Sequence, residues 1–170
     1  EDWVFSLIKS ETGILNEIKG NVAHILEYAF TEMLNNAIEH SGSLKIKVNM
    51  KREGTIIRFD IIDWGVGIFE KLIHARHLAN VEEAIQDLLK GKQTTDPEAH
   101  SGEGIFFTRR IADTFSIRSS TKKLFFNNNI DDFTIVTIKP ILGTRIMFNI
   151  AVNSKKEIRT VFSKYTGESL

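Results

Sequence analysis

The stretch "TIIRFDIIDWGVG", residues 55–67, joins a strand pattern to two glycines at alternate positions. Every second residue of its first part is a large apolar one: Ile57, Phe59 and Ile61. This period of two predicts a half-buried strand. Asp63 continues the period, so its carboxylate should point inward, where it needs a hydrogen-bond donor. Gly65 and Gly67 carry no side chains, so a flat ligand can approach the backbone closely there. A tight turn with a capping aspartate explains the same residues, and this motif alone leaves both interpretations open.

Residues 20–40, "GNVAHILEYAFTEMLNNAIEH", predict a long helix with one apolar stripe: Val22, Ile25, Leu26, Ala29, Met33 and Ala37. Because a helix advances about 100° per residue, Asn36 and His40 fall inside this stripe and Glu32 lies at its edge. Burying such groups without partners costs about 1–3 kcal/mol each, so they either hydrogen-bond to neighbouring backbone or form a site. An acid and an amide one turn apart suit a magnesium ion and a water molecule that loses a proton to the acid.

A second glycine-rich stretch, "SGEGIFFTRRIADTF", places Gly102 and Gly104 just before an apolar helical run. Glycines at a helix N-terminus expose backbone N–H groups, which suits a phosphate, although a simple helix cap fits equally well. The stretch is not a Walker A loop, because it lacks the Gly-Lys-Ser/Thr ending. Arg109 and Arg110 follow in the helix and either contact phosphate or form an exposed salt-bridging face.

The stretch "GTRIMFNI", residues 143–150, reads as another strand. Thr144 shares the parity of its apolar residues and should therefore face inward. A threonine at a strand start is often only a good strand former, but an inward hydroxyl needs a partner. Asp63 or its ligand could supply one.

The remaining pattern predicts the fold class. Residues 81–91 read as a second helix, on the surface, and the run after Gly104 as a third. The strand-like segments lie between polar turns such as "NNNIDD": 44–50, 55–63, 115–120, 123–126, 133–138 and 144–152. Helices followed by mostly hairpin-connected strands predict an α/β (α+β) two-layer sandwich, with a mixed, mostly antiparallel sheet packed against about three helices. The amphipathic tail, residues 153–170, is a last helix or the start of a following domain.

Composition excludes several classes of function. The 170 residues carry 22 Lys or Arg and 22 Asp or Glu, so charge gives no case for nucleic acid or an anionic membrane as a partner. Cysteine is absent, which excludes disulfides and thiolate metal sites. No apolar run reaches about 18 residues, and the acidic N-terminus lacks a signal-peptide pattern. A cytoplasmic domain is therefore expected.

The order and spacing of the four motifs resemble the GHKL superfamily of ATP-binding domains, which have the Bergerat fold. This superfamily includes gyrase-type topoisomerases, heat-shock chaperone ATPases, MutL proteins, histidine kinases and anti-sigma-factor serine kinases. "EMLNNAIEH" resembles its N box, "DWGVG" and "SGEGIFF" its two glycine boxes, and "GTRIMFNI" its closing strand. The resemblance covers about residues 20–152 and places an ATP-binding domain at 1–152, with a helical segment at 1–19. It is nearest to the anti-sigma-type serine kinases, or to bacterial members that a STAS-like domain follows.

The resemblance implies roles at the N box. Asn36 would coordinate the magnesium that bridges the phosphates of ATP. Glu32 would be the general base, which activates water in the ATPases and a hydroxyl group in the serine kinases. His40 would close the N box at the nucleotide site, as in the anti-sigma-type kinases.

The resemblance also implies roles for the glycine boxes. Asp63 would accept a hydrogen bond from the adenine amino group, with Thr144 supporting it, while Gly65 and Gly67 let the base lie against the chain. Gly102 and Gly104 would cradle the phosphates. Residues 68–101 would form a lid, which carries polar candidates of unassigned role: Lys71, Lys92, Thr94 and Thr95.

Three hypotheses follow. The first is an enzyme that binds ATP and magnesium and transfers a phosphoryl group to water or to a protein side chain in bacterial signalling or regulation. The glutamate at position 32 favours this enzyme over an autophosphorylating histidine kinase, which usually has asparagine there. The second is a nucleotide-gated protein-interaction module with little or no turnover. The third is a domain whose polar residues are structural. The sequence names no protein partner, phosphoacceptor or oligomeric state.

Overall fold

A computed structural model describes residues 2–91 and 100–166. Its elements follow in chain order: α1 (Asp2–Thr12), α2 (Gly20–His40), β1 (Ile46–Glu53), β2 (Ile56–Asp63), α3 (Ile68–Arg76), α4 (Val81–Lys90), α5 (His100–Ile111), β3 (Thr114–Asn127), β4 (Asp132–Ala151) and α6 (Ile158–Thr166). The α+β sandwich is confirmed. The described residues hold six helices rather than about three, and every strand pairing among them is antiparallel rather than mixed.

The four strands form one sheet in the order β1-β2-β4-β3. β1 and β2 form the predicted hairpin through Gly54, which has a positive φ of 59°. The inward face of β2 is buried as the alternation predicted: Ile57, Phe59, Ile61 and Asp63. Phe59 stacks on Phe148 of β4 with ring centroids 4.9 Å apart. The strand pattern of the sequence therefore sets which residues of β2 form the core.

The four strand segments predicted after residue 114 are joined into two long strands. β3 contains both "FSIRSS" and "KLFF", and β4 contains both "FTIVTI" and "TRIMFNIAV". The pairing register shifts around Ser120, whose φ is 52°. Such an irregularity bends a strand pair without ending it. The hairpin folds back on its own base, because Phe126 lies 6.3 Å from Phe115 and the Asn128 N–H donates to the Asp113 carbonyl at 2.9 Å.

The long helix α2 lies at the centre of the core. All six residues of its predicted apolar stripe are buried, together with Phe30 and Leu34. Phe30 packs edge-to-face on Phe59 of β2, with ring centroids 5.4 Å apart. This contact fixes α2 against the sheet and thereby fixes the position of Glu32, Asn36 and His40, which are half-buried along one side of the helix.

The segment predicted as a lid contains two helices, α3 and α4. α4 has one buried face, formed by Ala84, Ile85 and Leu88, so it is a surface helix that packs on the core. Asn80 caps it by accepting the Glu83 N–H at 2.9 Å. Three of the lid candidates, Lys92, Thr94 and Thr95, lie outside the described residues.

The tail forms α6 and packs on the same core. Phe162 lies with its ring centroid 5.2 Å from Tyr28 of α2 and 4.4 Å from Phe107 of α5. Before α6, the Asn21 side-chain amide donates to the carbonyls of Ser154 and Lys156, both at 2.8 Å. The domain boundary at residues 152 and 153 stays a prediction.

None of the helices in residues 2–91 and 100–166 combines the length and apolar composition that crossing a membrane requires.

Candidate nucleotide site

Asp63 lies at the end of β2 with only 4% of its surface exposed. Its Oδ1 accepts the backbone N–H of Gly65 at 2.9 Å and that of Thr144 at 3.3 Å. Burial raises the pKa of the Asp63 carboxyl above its ordinary value, and the two N–H groups partly oppose this rise. The structure therefore brings together Asp63 and Thr144, which are 81 residues apart in sequence.

Thr144 faces inward, as its parity predicted, and is 8% exposed. Its Oγ1 accepts the N–H of Ile68 at 2.9 Å. Ile68 is the first residue of α3, so this bond satisfies one of the N–H groups that a helix N-terminus leaves without a partner. Thr144 thus ties β4 both to Asp63 and to the start of α3.

The glycines of "DWGVG" are packed against other parts of the chain. A Cβ at Gly65 would collide with the backbone carbonyl of Ser41, which also accepts the Val66 N–H at 2.9 Å. Gly67 has a φ of 89°, and a Cβ there would lie 2.7 Å from the Ser119 hydroxyl. The space beside these glycines, which the sequence suggested for a ligand, is therefore filled in part by the protein itself. The contact with Ser41 joins this loop to the end of α2.

The three polar residues of the N box lie along one side of α2, and each is half-buried. A Cβ at Gly104 would collide with Oε2 of Glu32, so the Glu32 carboxylate lies directly against the first turns of α5. Burial first, and then the nearby charges of Glu103 and Glu39, raise the pKa of Glu32. Burial, and then the charges of Glu32 and Glu103, raise the pKa of Tyr28, which lies one turn earlier on α2. The N box and the second glycine box thus meet at Glu32.

Asn36 carries a buried Nδ2 atom that has no hydrogen-bond partner among the described residues. Buried polar atoms without a partner are rare in folded proteins and need an explanation, such as a bound water or ion. Residues 2–91 and 100–166 contain no group of three or more His, Cys, Asp or Glu that could hold a metal ion. Magnesium does not need such a cage, because one or two protein oxygens, phosphate oxygens and waters usually complete its shell. Asn36 and Glu32 supply oxygens of the suitable type.

His40 ends α2, and its backbone carbonyl accepts the Lys71 ammonium of α3 at 3.2 Å. Burial and the charge of Lys71 lower the pKa of the His40 imidazole, while Glu39 opposes this effect. Lys71 is one of the lid residues to which the sequence assigned no role, and its hydrogen bond to His40 gives it a defined position. It joins α3 to the C-terminal end of α2, where the helix dipole favours a cation.

Gly102 and Gly104 lie inside the first turns of α5, not ahead of the helix as the sequence suggested, because α5 already begins at His100. Gly104 is buried. The first N–H groups of a helix have no partner within it, so Gly102 lies among the donors that a phosphate could use, whereas Gly104 lies beyond them.

The exposed salt-bridging face expected at Arg109 and Arg110 is not found, since neither forms an ion pair within the described part of the chain. Arg110 lies 3.5 Å from the ring centroid of Phe106, and Arg109 lies 4.8 Å from that of Phe126. Burial lowers the pKa of Arg109 to about 10. Both guanidinium groups stack on rings because α5 is covered on this side by aromatic residues.

Sequence reasoning missed three residues that shape the site. Ser41 holds the first glycine box through its carbonyl, and Gly143, with a φ of 75°, has no room for a Cβ beside Asp63. The Gly-Thr pair was a signal for Gly143, since a glycine directly before an inward threonine suggests close backbone contact. Glu103 was visible between the two glycines, but its proximity to Glu32 is a tertiary feature.

Two comparisons with known proteins found similarities. A family model described as "Histidine kinase-like ATPase domain" matches residues 11–125. Among solved structures, the chain is similar to the 43K ATPase domain of Thermus thermophilus gyrase B in complex with an aminocoumarin, with 18% identity and a TM-score of 0.46. That match covers 85% of this chain, which spans 38% of the length of the gyrase chain. No curated protein sequence matches the chain.

Proposed function

The chain belongs to the family of histidine kinase-like ATPase domains, and from that premise we propose that it binds ATP with magnesium and transfers the γ-phosphoryl group. The acceptor is water or a hydroxyl group of a protein, and the parent protein serves cytoplasmic signalling or regulation. Phosphoryl transfer requires mainly positioning and charge stabilisation, which can be assigned to residues of α2, α5 and the end of β2.

The contact between Glu32 and the first turns of α5 carries this proposal. A helix N-terminus attracts phosphate, so the carboxylate lies beside the place where the first turn of α5, at Gly102, would hold the γ-phosphate, while Gly104 leaves the space beside Glu32 free of a side chain. From there, Glu32 can accept the proton of the attacking water or hydroxyl group. The raised pKa of Glu32 brings its basicity closer to neutral pH, which favours a general base.

Asp63 is assigned to the adenine. Its Oδ1 is held by the N–H groups of Gly65 and Thr144, and within residues 2–91 and 100–166 no hydrogen bond reaches Oδ2. Oδ2 can therefore accept a hydrogen bond from the exocyclic amino group. The base would lie against the backbone at Gly65 and Gly67, where the loop has no side chains.

Asn36 is assigned to the magnesium ion, with its amide oxygen as the ligand, and His40 lies one turn further along the same side of α2. When bound, magnesium neutralises charge on the phosphates. The unpartnered Nδ2 of Asn36 supports a ligand at this place, because a buried donor needs an acceptor, which a phosphate oxygen beside the ion would supply.

Calorimetric titration with ATP, with and without magnesium, tests the binding site. We expect magnesium-dependent binding that Asp63→Asn abolishes, since the amide would present an N–H where the adenine needs an acceptor. Asp60→Asn is the matched control, because Asp60 lies on the same strand and pairs with Arg58 on the other face. Equal affinity in wild type and Asp63→Asn would remove the adenine assignment.

A hydrolysis assay tests the base. Glu32→Ala should keep ATP binding but lose turnover by about 10²–10⁴-fold, the usual contribution of a general base. Glu27→Ala, an exposed glutamate of the same helix, should change neither. Magnesium-dependent binding by a wild type that shows no turnover, alone or with candidate protein substrates, would instead identify a nucleotide-gated interaction module.

A further inference from the structure

The first half of β4 is an edge strand with one free side. Residues 132–137 and Ile141 pair with β3, whereas β2 pairs with β4 only from Arg145 onward. No strand of the described part pairs with residues 132–143 on the side that β2 occupies further along. Edge strands of this kind present unpaired N–H and C=O groups to any extended chain that reaches them.

This edge lacks the usual protection. Residues 133–138, "FTIVTI", contain no charge, and Ile135 and Val136 are 48% and 49% exposed. Natural edge strands are commonly blocked by lysine, proline or inward charges. Here Lys139 and Pro140 come only after six uncharged residues, so the edge is open to pairing.

The register with β3 separates the two faces of the edge strand. Ile135 lies opposite the buried Leu124 and Phe133 lies opposite the buried Phe126, yet Phe133 and Ile135 are themselves 38% and 48% exposed. Val136 alternates with them and lies opposite Lys123 on the other face. Each face of this strand pair thus combines exposed apolar side chains with one lysine, Lys122 opposite Thr137 on the first face and Lys123 on the second, and strand pairing along the free side would extend both faces.

We propose that residues 132–139 pair antiparallel with the same residues of a second copy of this chain, across a twofold axis near Ile135 or Val136. The charges at the two ends support this occupant. β4 starts at Asp132, directly after Asp131, and its uncharged part ends at Lys139, so antiparallel self-pairing places the acidic end of each copy beside the lysine of the other. The edge is thus complementary to itself, which is what an interface with twofold symmetry requires.

Analytical ultracentrifugation of the full 170-residue chain, from micromolar to near-millimolar concentration, tests the proposal. We expect a reversible dimer in the wild type. Val136→Glu should weaken it by about tenfold or more, because the variant loses an apolar contact and brings two carboxylates together at the axis. Within one copy, the new carboxylate faces Lys123, so the variant should keep its fold and its unfolding temperature.

Leu44→Glu is the matched control, since Leu44 is fully exposed and lies outside β4. It should dimerise as the wild type does. A wild type that sediments as a monomer at every concentration would overturn the proposal, whatever other partner then covers the edge. So would a Val136→Glu dimer as tight as that of the wild type.

Cross-linking gives an independent test because the chain contains no cysteine. A disulfide requires Cα atoms about 4.4–6.8 Å apart, a distance that the same residue of two antiparallel strands reaches only at the axis. Single cysteines at positions 134 to 137 should therefore give a linked dimer with a maximum at 135 or 136, and Leu44→Cys should give none. Equal cross-linking at all these positions would contradict a defined pairing.

Discussion

At the scale of single residues, the buried Asp63 combines a proposed binding role with a cost to the unliganded fold. Because burial raises its pKa in the folded state, ionisation is less favourable there than in the unfolded chain. The folded state is therefore favoured most below the unfolded-state pKa of Asp63, and this contribution to the free energy of unfolding is lost as pH rises through the folded-state pKa.

Asp63→Asn removes the buried charge, so the variant should unfold at a higher temperature than the wild type near neutral pH, by about 2–4 °C for each kcal/mol that the buried charge costs. The difference should shrink towards acidic pH. Thermal unfolding at several pH values measures it, and a lower unfolding temperature for the variant at neutral pH would show that the charge stabilises the fold.

A second residue-scale prediction concerns Glu103, the acid between the glycines of the second box. Its charge is one reason, after burial, that the pKa of Glu32 is raised. If Glu32 is the base, activity falls on the acidic side as this carboxylate gains a proton. Glu103→Gln lowers the pKa of Glu32, so the acidic limb of the kcat profile should move to lower pH. Glu27→Gln, on the exposed side of α2, should leave the limb in place. An unmoved limb in Glu103→Gln would mean that a different group controls it.

At the scale of elements, α6 connects the tail to both helices of the proposed phosphate end. Phe162 contacts Tyr28 of α2 and Phe107 of α5, so Phe162→Ala removes packing from both. We expect a loss of about 2 kcal/mol in the free energy of unfolding, below the range for fully buried phenylalanines because the site is half-exposed. Urea titration measures this, with Arg159→Ala on the exposed side of α6 as the control. An unchanged stability would show that the packing of Phe162 does not stabilise the domain, as expected if the tail were instead the start of a following domain.

The elements that the sequence predicted best are those with a regular period. The apolar stripe of α2 and the alternation of β2 each follow one geometric repeat, so their buried faces could be assigned without the structure. The merging of segments into β3 and β4 could not, because it depends on a bend at Ser120 and on the hairpin packing back onto Phe115. The same holds in the site. The inward direction of Asp63 followed from parity, whereas its contact with Gly143 and the meeting of Glu32 with Gly104 depend on tertiary packing.

At the scale of the whole molecule, ligand binding should stabilise the entire fold, because the proposed site takes residues from α2, β2, α5 and β4. A ligand at about 100 times its Kd adds about 2.7 kcal/mol to the free energy of unfolding, which corresponds to about 5–10 °C for a chain of this length. ATP with magnesium should produce such a shift in the wild type, and chelation of the magnesium should reduce it if Asn36 holds the ion. Asp63→Asn should show little shift at the same ATP concentration.

Val136→Glu serves as the control for that experiment, since its substitution lies on the free edge of β4, away from all the residues assigned to ATP. Distant sites contribute independently to stability, so the ATP-induced shift should be the same in this variant as in the wild type. A shift of equal size with and without magnesium would remove the role of Asn36 while keeping nucleotide binding. A shift that disappears in Val136→Glu would show that the nucleotide site is complete only in the dimer, and the edge strand would then belong to the function of the domain as well as to its assembly.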